Sequence, residues 1–433
     1  MIYWAPLLHF YQPSHQIPYV LRQVARESYR PLLELFRQYP HARVTVNICG
    51  VLTELLYDHG LSDVYQGLAE LAQRGQVEFT GSAKFHPILP LLPRAEVERQ
   101  IKLNYQINRH FLGEVYAPRG FFPPELAYSP EIIPPVVASG HRWLLLAGLA
   151  CPSPWPTDVI YQVGQKEGDG GALSPSMDSG QRLSKGLAVF FRDDILSNKV
   201  SFRSIDASGF VKSLGSLGGK GKAAYVVTAQ DGETFGHHIK HWERLFLGRV
   251  IRALEPNAQR RASSASGEPI QMVTISQLLD LLPRGQRVEA KSSSWSTSEP
   301  ELAAGNPYPL WKHPQNSVHR YQWEHLGLTL DLVKRAERLA SNAESRRYAR
   351  AARSFLDRAW HSCQFWWANR PPLWDMNMVD RGLTQQQEAV FNAYRSVAAS
   401  NAREDMKLDS YHKLLACRAL AGKVQDQLLS SAP

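Results

Sequence analysis

The sequence predicts an α/β fold: a barrel of seven or eight parallel strands wrapped by helices, followed by a helical C-terminal domain. Three observations predict it. Short apolar runs alternate with helical stretches through the first 285 residues. Strand patterns are absent after about residue 314. Nearly every apolar run ends in residues able to bind, donate or accept a proton, and the C-terminal strand ends are where α/β barrels carry their chemistry.

In chain order, the expected strands are residues 2–8, 43–48, 77–80, 120–122, 143–147, 187–191 and 224–228, with an eighth at 269–275. Between them, residues 19–37, 61–74, 94–111, 130–138 and 243–254 read as helices. Stretches 165–185, 213–222 and 258–269 are rich in Gly, Ser and charged residues and read as surface loops. The expected domains are a barrel over 1–285, a polar, Ser-rich linker or surface segment over 286–313, and a helical domain over 314–433. Helices are expected there at 315–341, 344–367, 384–402 and 411–428.

Composition narrows the function. Hydrophobic residues make up 44%, enough for a sizeable core. The net charge of +9 is scattered and forms no concentrated basic face, so a nucleic-acid partner is not expected. No apolar run reaches 18 residues, so no membrane-spanning helix is expected. The N-terminus reads directly as a strand without a charged leader, so no signal peptide is expected. Cys49, Cys151, Cys363 and Cys417 lie far apart without metal spacing, which predicts reduced thiols and a cytoplasmic location. Seven of the eleven tryptophans fall between Trp295 and Trp374, which marks that stretch for a particular task.

The strand ends carry the candidate chemistry. The first ends in His9-Phe10-Tyr11-Gln12-Pro13, the third carries Glu78 and is followed by His86, and the fourth ends in Pro123-Pro124-Glu125. The sixth runs into Arg192-Asp193-Asp194 and the seventh into Asp231-Gly232-Glu233. One acid after a strand is usually a helix cap. Five or six polar strand ends together are not explained that way. Glu125 and Asp231 are far apart in sequence and meet only across a barrel mouth. Facing carboxyls are the basic tool of glycoside hydrolysis.

These segments resemble glycoside hydrolase family 57, over nearly the whole chain. His9 to Pro13 is similar to the family's first motif, Val77-Glu78-Phe79-Thr80-Gly81 through Leu89 to its second, Gly120 to Glu125 to its third, and Asp231-Gly232-Glu233-Thr234-Phe235-Gly236 to its fourth. The Trp-rich stretch 361–375 is similar to the family's helical region that closes over the site. The resemblance implies a distorted seven-stranded (β/α)7 TIM-like barrel and a retaining enzyme acting on α-glucans or maltooligosaccharides. Glu125 would be the nucleophile and Asp231 the acid/base. Tyr11 stands where the family usually has a second histidine, Phe121 or Phe122 where it often has Trp, and His86 where some members have Glu. These departures bear on specificity rather than reaction class.

In this mechanism Asp231 starts protonated, raised by apolar surroundings and by the Glu125 charge. Substrate contacts are expected from His9, Tyr11, Gln12, Glu78, His86, Phe121, Asp193 and His237, and from Trp295, Trp366, Trp367, Trp374 and Asp375. The indoles would stack on pyranose rings. No metal or organic cofactor is expected. A 4-α-glucanotransferase or branching enzyme would use the same carboxyls, and the short helical domain argues against branching. Two readings of other classes remain: a non-catalytic glucan-binding homologue, and a metal-dependent polysaccharide deacetylase using His237 and His241, four apart as on one helix face. The sequence does not speak to oligomeric state.

Overall fold

The computed structural model describes residues 1–152, 154–164, 186–218, 222–256, 268–369 and 375–430. They form two compact units. The first comprises Met1–Gln12, Gln16–Lys84 and Leu89–Trp295; the second comprises Pro13–His15, Phe85–Ile88 and Ser296–Pro433.

The first unit is built on β1 (Ile2–Phe10), β2 (Val44–Ile48), β3 (Val77–Gly81), β4 (Gly120–Phe121), β5 (Trp143–Leu146), β6 (Ile160–Val163), β7 (Leu187–Phe191), β8 (Ala224–Asp231), β9 (Ile270–Met272) and β10 (Arg284–Arg287). Seven of these run parallel in the order β7-β5-β4-β3-β2-β1-β8. A single parallel bridge from Arg192 to Val227 links the two ends of that order and closes the curl. The expected eighth strand is the short β9, which pairs with the start of β1. Two strands were not expected: β6, antiparallel to β7, and β10, which pairs with β6. Their sequences, Ile-Tyr-Gln-Val and Arg-Gly-Gln-Arg, carry little or no apolar run.

Strand alternation sorts the core into two layers. Trp4, Leu8, Phe10 and Val226 join the helices in one apolar cluster. Ala5, Leu7, Tyr225, Val227 and Ala229 point the other way and pack with Phe122, Ala188 and Phe190 inside the curl. Both faces are covered, which is why β1 and β8 read as continuous apolar runs. The helix Ile275–Leu281 presents Ile275 and Leu278 to the inner cluster. Its capping box on Thr274 and Gln277 holds its first turn.

The second unit is helical, as expected: Ser317–Leu339, Ala343–Ala359, Met376–Ala398 and Glu404–Ser430, with the short Cys363–Trp366 between. Asn316, Asn342 and Asp375 cap three of these helices through their side chains. Among the described residues, no helix is long and apolar enough to cross a membrane. Among the described residues, no disulfide joins the four cysteines.

Gly120 is required for space rather than backbone freedom. A Cβ there would lie 1.8 Å from Cε2 of the fully buried Trp143. Gly120→Ala should cost about 1–3 kcal/mol through overpacking, read as a lower urea midpoint with an unchanged slope.

Candidate active site

The alternation that sends Ala5, Leu7, Val227 and Ala229 inward continues to the strand ends. It brings His9 and Asp231 to the same face, directly opposite each other as paired residues of β1 and β8. His9 pairs on its other side with Asn47 of β2. Its Nδ1 lies 2.7 Å from Asn47 Oδ1, an oxygen that only accepts, so Nδ1 carries the proton. The Asn47 amide donates in turn to Thr80 Oγ1 at 2.9 Å. The His9 ring stacks on Phe122 at 4.8 Å between centroids and on Tyr11 at 6.2 Å. Burial pushes its pKa down to about 4, against the hydrogen bond to Asn47, so His9 is neutral at ordinary pH.

Glu125 sits in a strained turn. Pro123 and Pro124 stiffen the approach, and Glu125 (φ 58°, ψ 17°) and Leu126 (φ 47°) both take the left-handed conformation. For non-glycine residues each costs on the order of 1 kcal/mol or more. A returning segment holds the turn. Tyr128 and Ser293 exchange two backbone hydrogen bonds of 2.9 and 3.2 Å, and the Trp295 amide donates to the Glu125 carbonyl at 3.0 Å. The Trp295 indole Nε1 donates to Glu125 Oε2 at 2.8 Å. That indole meets His9 and Phe122 edge-on, each at 6.0 Å, and the Arg192 guanidinium lies over its ring at 5.7 Å.

Asp231 ends β8 with its carboxyl raised to about 6 by burial, while the nearby Arg192 charge opposes the rise. Desolvation, the apolar-surroundings cause expected from the sequence, supplies this rise. Arg192, itself buried, is fixed by bonds to the Ala229 carbonyl, Asp194 and Asn198. Two residues on, Glu233 is buried and accepts from Gln12 Nε2 at 3.0 Å and from the Tyr29 hydroxyl. Burial, then the Asp231 charge, push Glu233 up to about 7.

This turn is clamped to residues 27–29. Ser28 Oγ donates to the Gly232 carbonyl at 2.8 Å, and the Glu27 carboxylate takes His237 Nδ1 at 2.7 Å and Lys240 Nζ at 2.6 Å. The bonds from Lys240 and His237 hold the Glu27 carboxyl down at about 2. Gly236 (φ 114°) makes the contact feasible, since a Cβ would lie 1.9 Å from the Glu27 carbonyl oxygen.

Several expected substrate contacts are otherwise engaged. Glu78 lies near the start of β3, away from the strand ends, and accepts from the Ser276 amide at 3.0 Å and the Ser276 hydroxyl. It serves the N-terminus of the helix Ile275–Leu281. Phe121 points out of the curl onto His141, and Phe122, one alternation later, faces His9 instead. Asp193 caps its helix through Leu196 N at 2.8 Å, and Asp375 caps another through Met378 N at 3.1 Å. Gln12 is taken up by Glu233 and His237 by Glu27. His237 and His241 do not share a helix face, because residues 236–241 form a turn in which His241 has φ 63°.

In the second unit, His86 is buried with Nδ1 2.9 Å from Ser362 Oγ. Trp366 and Trp367 meet edge-to-face at 4.6 Å, and Trp367 packs on the core of Val318, Val379 and Leu383. Trp374 lies outside the described residues. Sequence reasoning missed the parts played by Arg192 and Glu233. Glu233 was visible inside the fourth motif, two residues after Asp231.

Residues 7–291 match the family described as Glycosyl hydrolase family 57. An α-amylase of Pyrococcus abyssi is 26% identical over 258 residues, 56% of this chain and 35% of the relative. A 4-α-glucanotransferase of Thermococcus litoralis is 24% identical over 313 residues, 69% of this chain and 41% of the relative. The match thus spans well under half of each relative. The solved structure of a branching enzyme from Pyrococcus horikoshii superposes with a TM-score of 0.67 at 17% identity, over 97% of this chain and 94% of the other. That likeness is one of fold.

The buried Glu233 ties stability to pH. Its folded pKa of about 7 exceeds its ordinary 4.5, so stability falls as pH rises from about 4.5 to 7 and stays lost above. Glu233→Gln keeps an oxygen for Gln12 and Tyr29 without the ionisation. The variant should melt higher than the parent at pH 8, on the order of 3 °C or more, and the advantage should vanish by pH 4. An offset equal at both pH values by calorimetry would rule out ionisation as the cause.

Proposed function

The chain belongs to glycosyl hydrolase family 57, and we propose that it opens α-1,4-glucosidic bonds of α-glucans or maltooligosaccharides by a retaining double displacement. One observation carries this reading. The two motif carboxyls hang on a single packed cluster: Asp231 opposite His9, His9 against Trp295, and Trp295 bonded to Glu125.

In the first step a Glu125 carboxylate oxygen attacks the anomeric carbon, the glycosidic C–O bond breaks, and Asp231 gives its proton to the departing oxygen. In the second, water or a sugar hydroxyl loses its proton to Asp231 and attacks the same carbon, releasing Glu125. Asp231 suits the first step because burial keeps it protonated up to about pH 6. Neutral His9 and the neighbouring Tyr11 would meet sugar hydroxyls. Whether water or sugar takes the second step separates hydrolysis from transfer, and the names of the relatives cover both. We place the protein in the cytoplasm on the wide sequence separation of Cys49, Cys151, Cys363 and Cys417, a spacing that suits reduced thiols.

Glu125→Gln and Asp231→Asn should each lower kcat/KM on amylose by about three orders of magnitude or more. For the parent, kcat/KM should fall with rising pH along a limb centred near 6, where Asp231 loses its proton. A parent as inert as both variants toward every α-glucan would refute an enzymatic role. Incubation with maltotriose then decides the second step: a ladder of longer products means transfer, glucose and maltose alone mean hydrolysis.

A further inference from the structure

Trp295 was expected to offer a stacking face to a sugar ring. Its surroundings assign the indole differently. The Arg192 guanidinium lies over the ring at 5.7 Å, and His9 and Phe122 close on it edge-on. Its one polar atom points at Glu125 Oε2, 2.8 Å away. Its backbone amide holds the Glu125 carbonyl at 3.0 Å, so the same residue grips both ends of the acid. Glu125 needs such a grip, because it and Leu126 occupy left-handed backbone conformations that the local sequence does not favour.

We propose that Trp295 is a positioning residue for Glu125: its indole N–H fixes the carboxylate within the strained turn and favours the ionised, nucleophilic form. The chemistry is direct. An N–H donor to a carboxylate stabilises the charge and fixes the rotamer, whereas a protonated carboxyl gains less from it. The charged and titratable groups around this cluster include Arg192 at the end of β7, His9 on β1, Asp231 on β8, and Tyr11 and Cys49 beside the His9 ring. Phenylalanine at position 295 keeps a ring beneath Arg192 and against His9 and Phe122 and deletes only the N–H.

The proposal rests on the reading of Glu125 as nucleophile, so its test has one arm that needs no turnover. In protein labelled with 15N at the indoles, the N–H resonance missing from Trp295→Phe should titrate with pH in the parent and shift upfield, without titrating, in Glu125→Gln. In the kinetic arm, Trp295→Phe should lower kcat about 10- to 100-fold. It should leave KM within about two-fold and raise the midpoint of the acid limb by about one pH unit. A resonance that neither titrates nor responds to Glu125→Gln overturns the proposal. So does a Trp295→Phe variant with raised KM, unchanged kcat and an unmoved acid limb, the signature of lost sugar stacking. If the parent is inert on all α-glucans, the enzymatic reading fails while the indole titration still decides whether Trp295 and Glu125 are coupled.

Discussion

Everything at the candidate site depends on the pairing of β1 with β8, which runs in unbroken register from Ile2 opposite Ala224 to His9 opposite Asp231. In a strand, successive side chains take opposite faces, so a slip of one residue would turn His9 or Asp231 outward into the helices. The register is held by packing on both faces at once. Trp4 and Val226 are locked into the helical layer, and a Trp4 indole bond to Thr228 at 3.0 Å ties the two strands on that side. Ala5, Leu7, Val227 and Ala229 are locked into the inner layer. The apolar body of the sheet thus sets the orientation of the few polar groups at its end.

Those polar groups are held at a thermodynamic cost. Glu125 and Leu126 keep left-handed backbones, Glu233 is a carboxyl out of water two residues from the half-buried Asp231, and Arg192 is a buried cation. Each is tolerated because neighbours over-determine it. The strained turn is pinned by residues 293–295, Glu233 has two donors, and Arg192 is bonded at three of its nitrogens. Such tension at one end of an otherwise relaxed apolar fold is where function is expected to sit.

Much of this was legible in the sequence, and the failures have identifiable physics. The seven parallel strands announced themselves because strands buried on both faces must be apolar throughout. β10 has no apolar run to betray it, and its pairing with β6 is a tertiary event. Glu125 and Asp231 stood out by motif and position. Glu78, Asp193 and Asp375 were expected at substrate from their motif and strand-end or helix-end positions; all three satisfy helix N-termini, a demand that sequence cannot distinguish from ligand binding. Phe121 and Phe122 were exchangeable in sequence. One step of alternation separates them, and it puts Phe122, not Phe121, against His9. The bond from the Trp295 indole to Glu125 was not legible, because the direction of an indole N–H is set by contacts 170 residues away.

The two motif carboxyls end up in unlike surroundings. Glu125 accepts a hydrogen bond from an indole, which stabilises the negative form. Asp231 takes no hydrogen bond from any described residue, and burial alone lifts it to about 6. Arg192 would undo that rise if it paired with Asp231 directly. Instead its donors are committed to the Ala229 carbonyl, Asp194 and Asn198, so only its field reaches Asp231. Pairs of acids do acid and base work when their environments push their protonation apart. Here the indole donor points toward Glu125, and Tyr29 and Gln12 point toward Glu233.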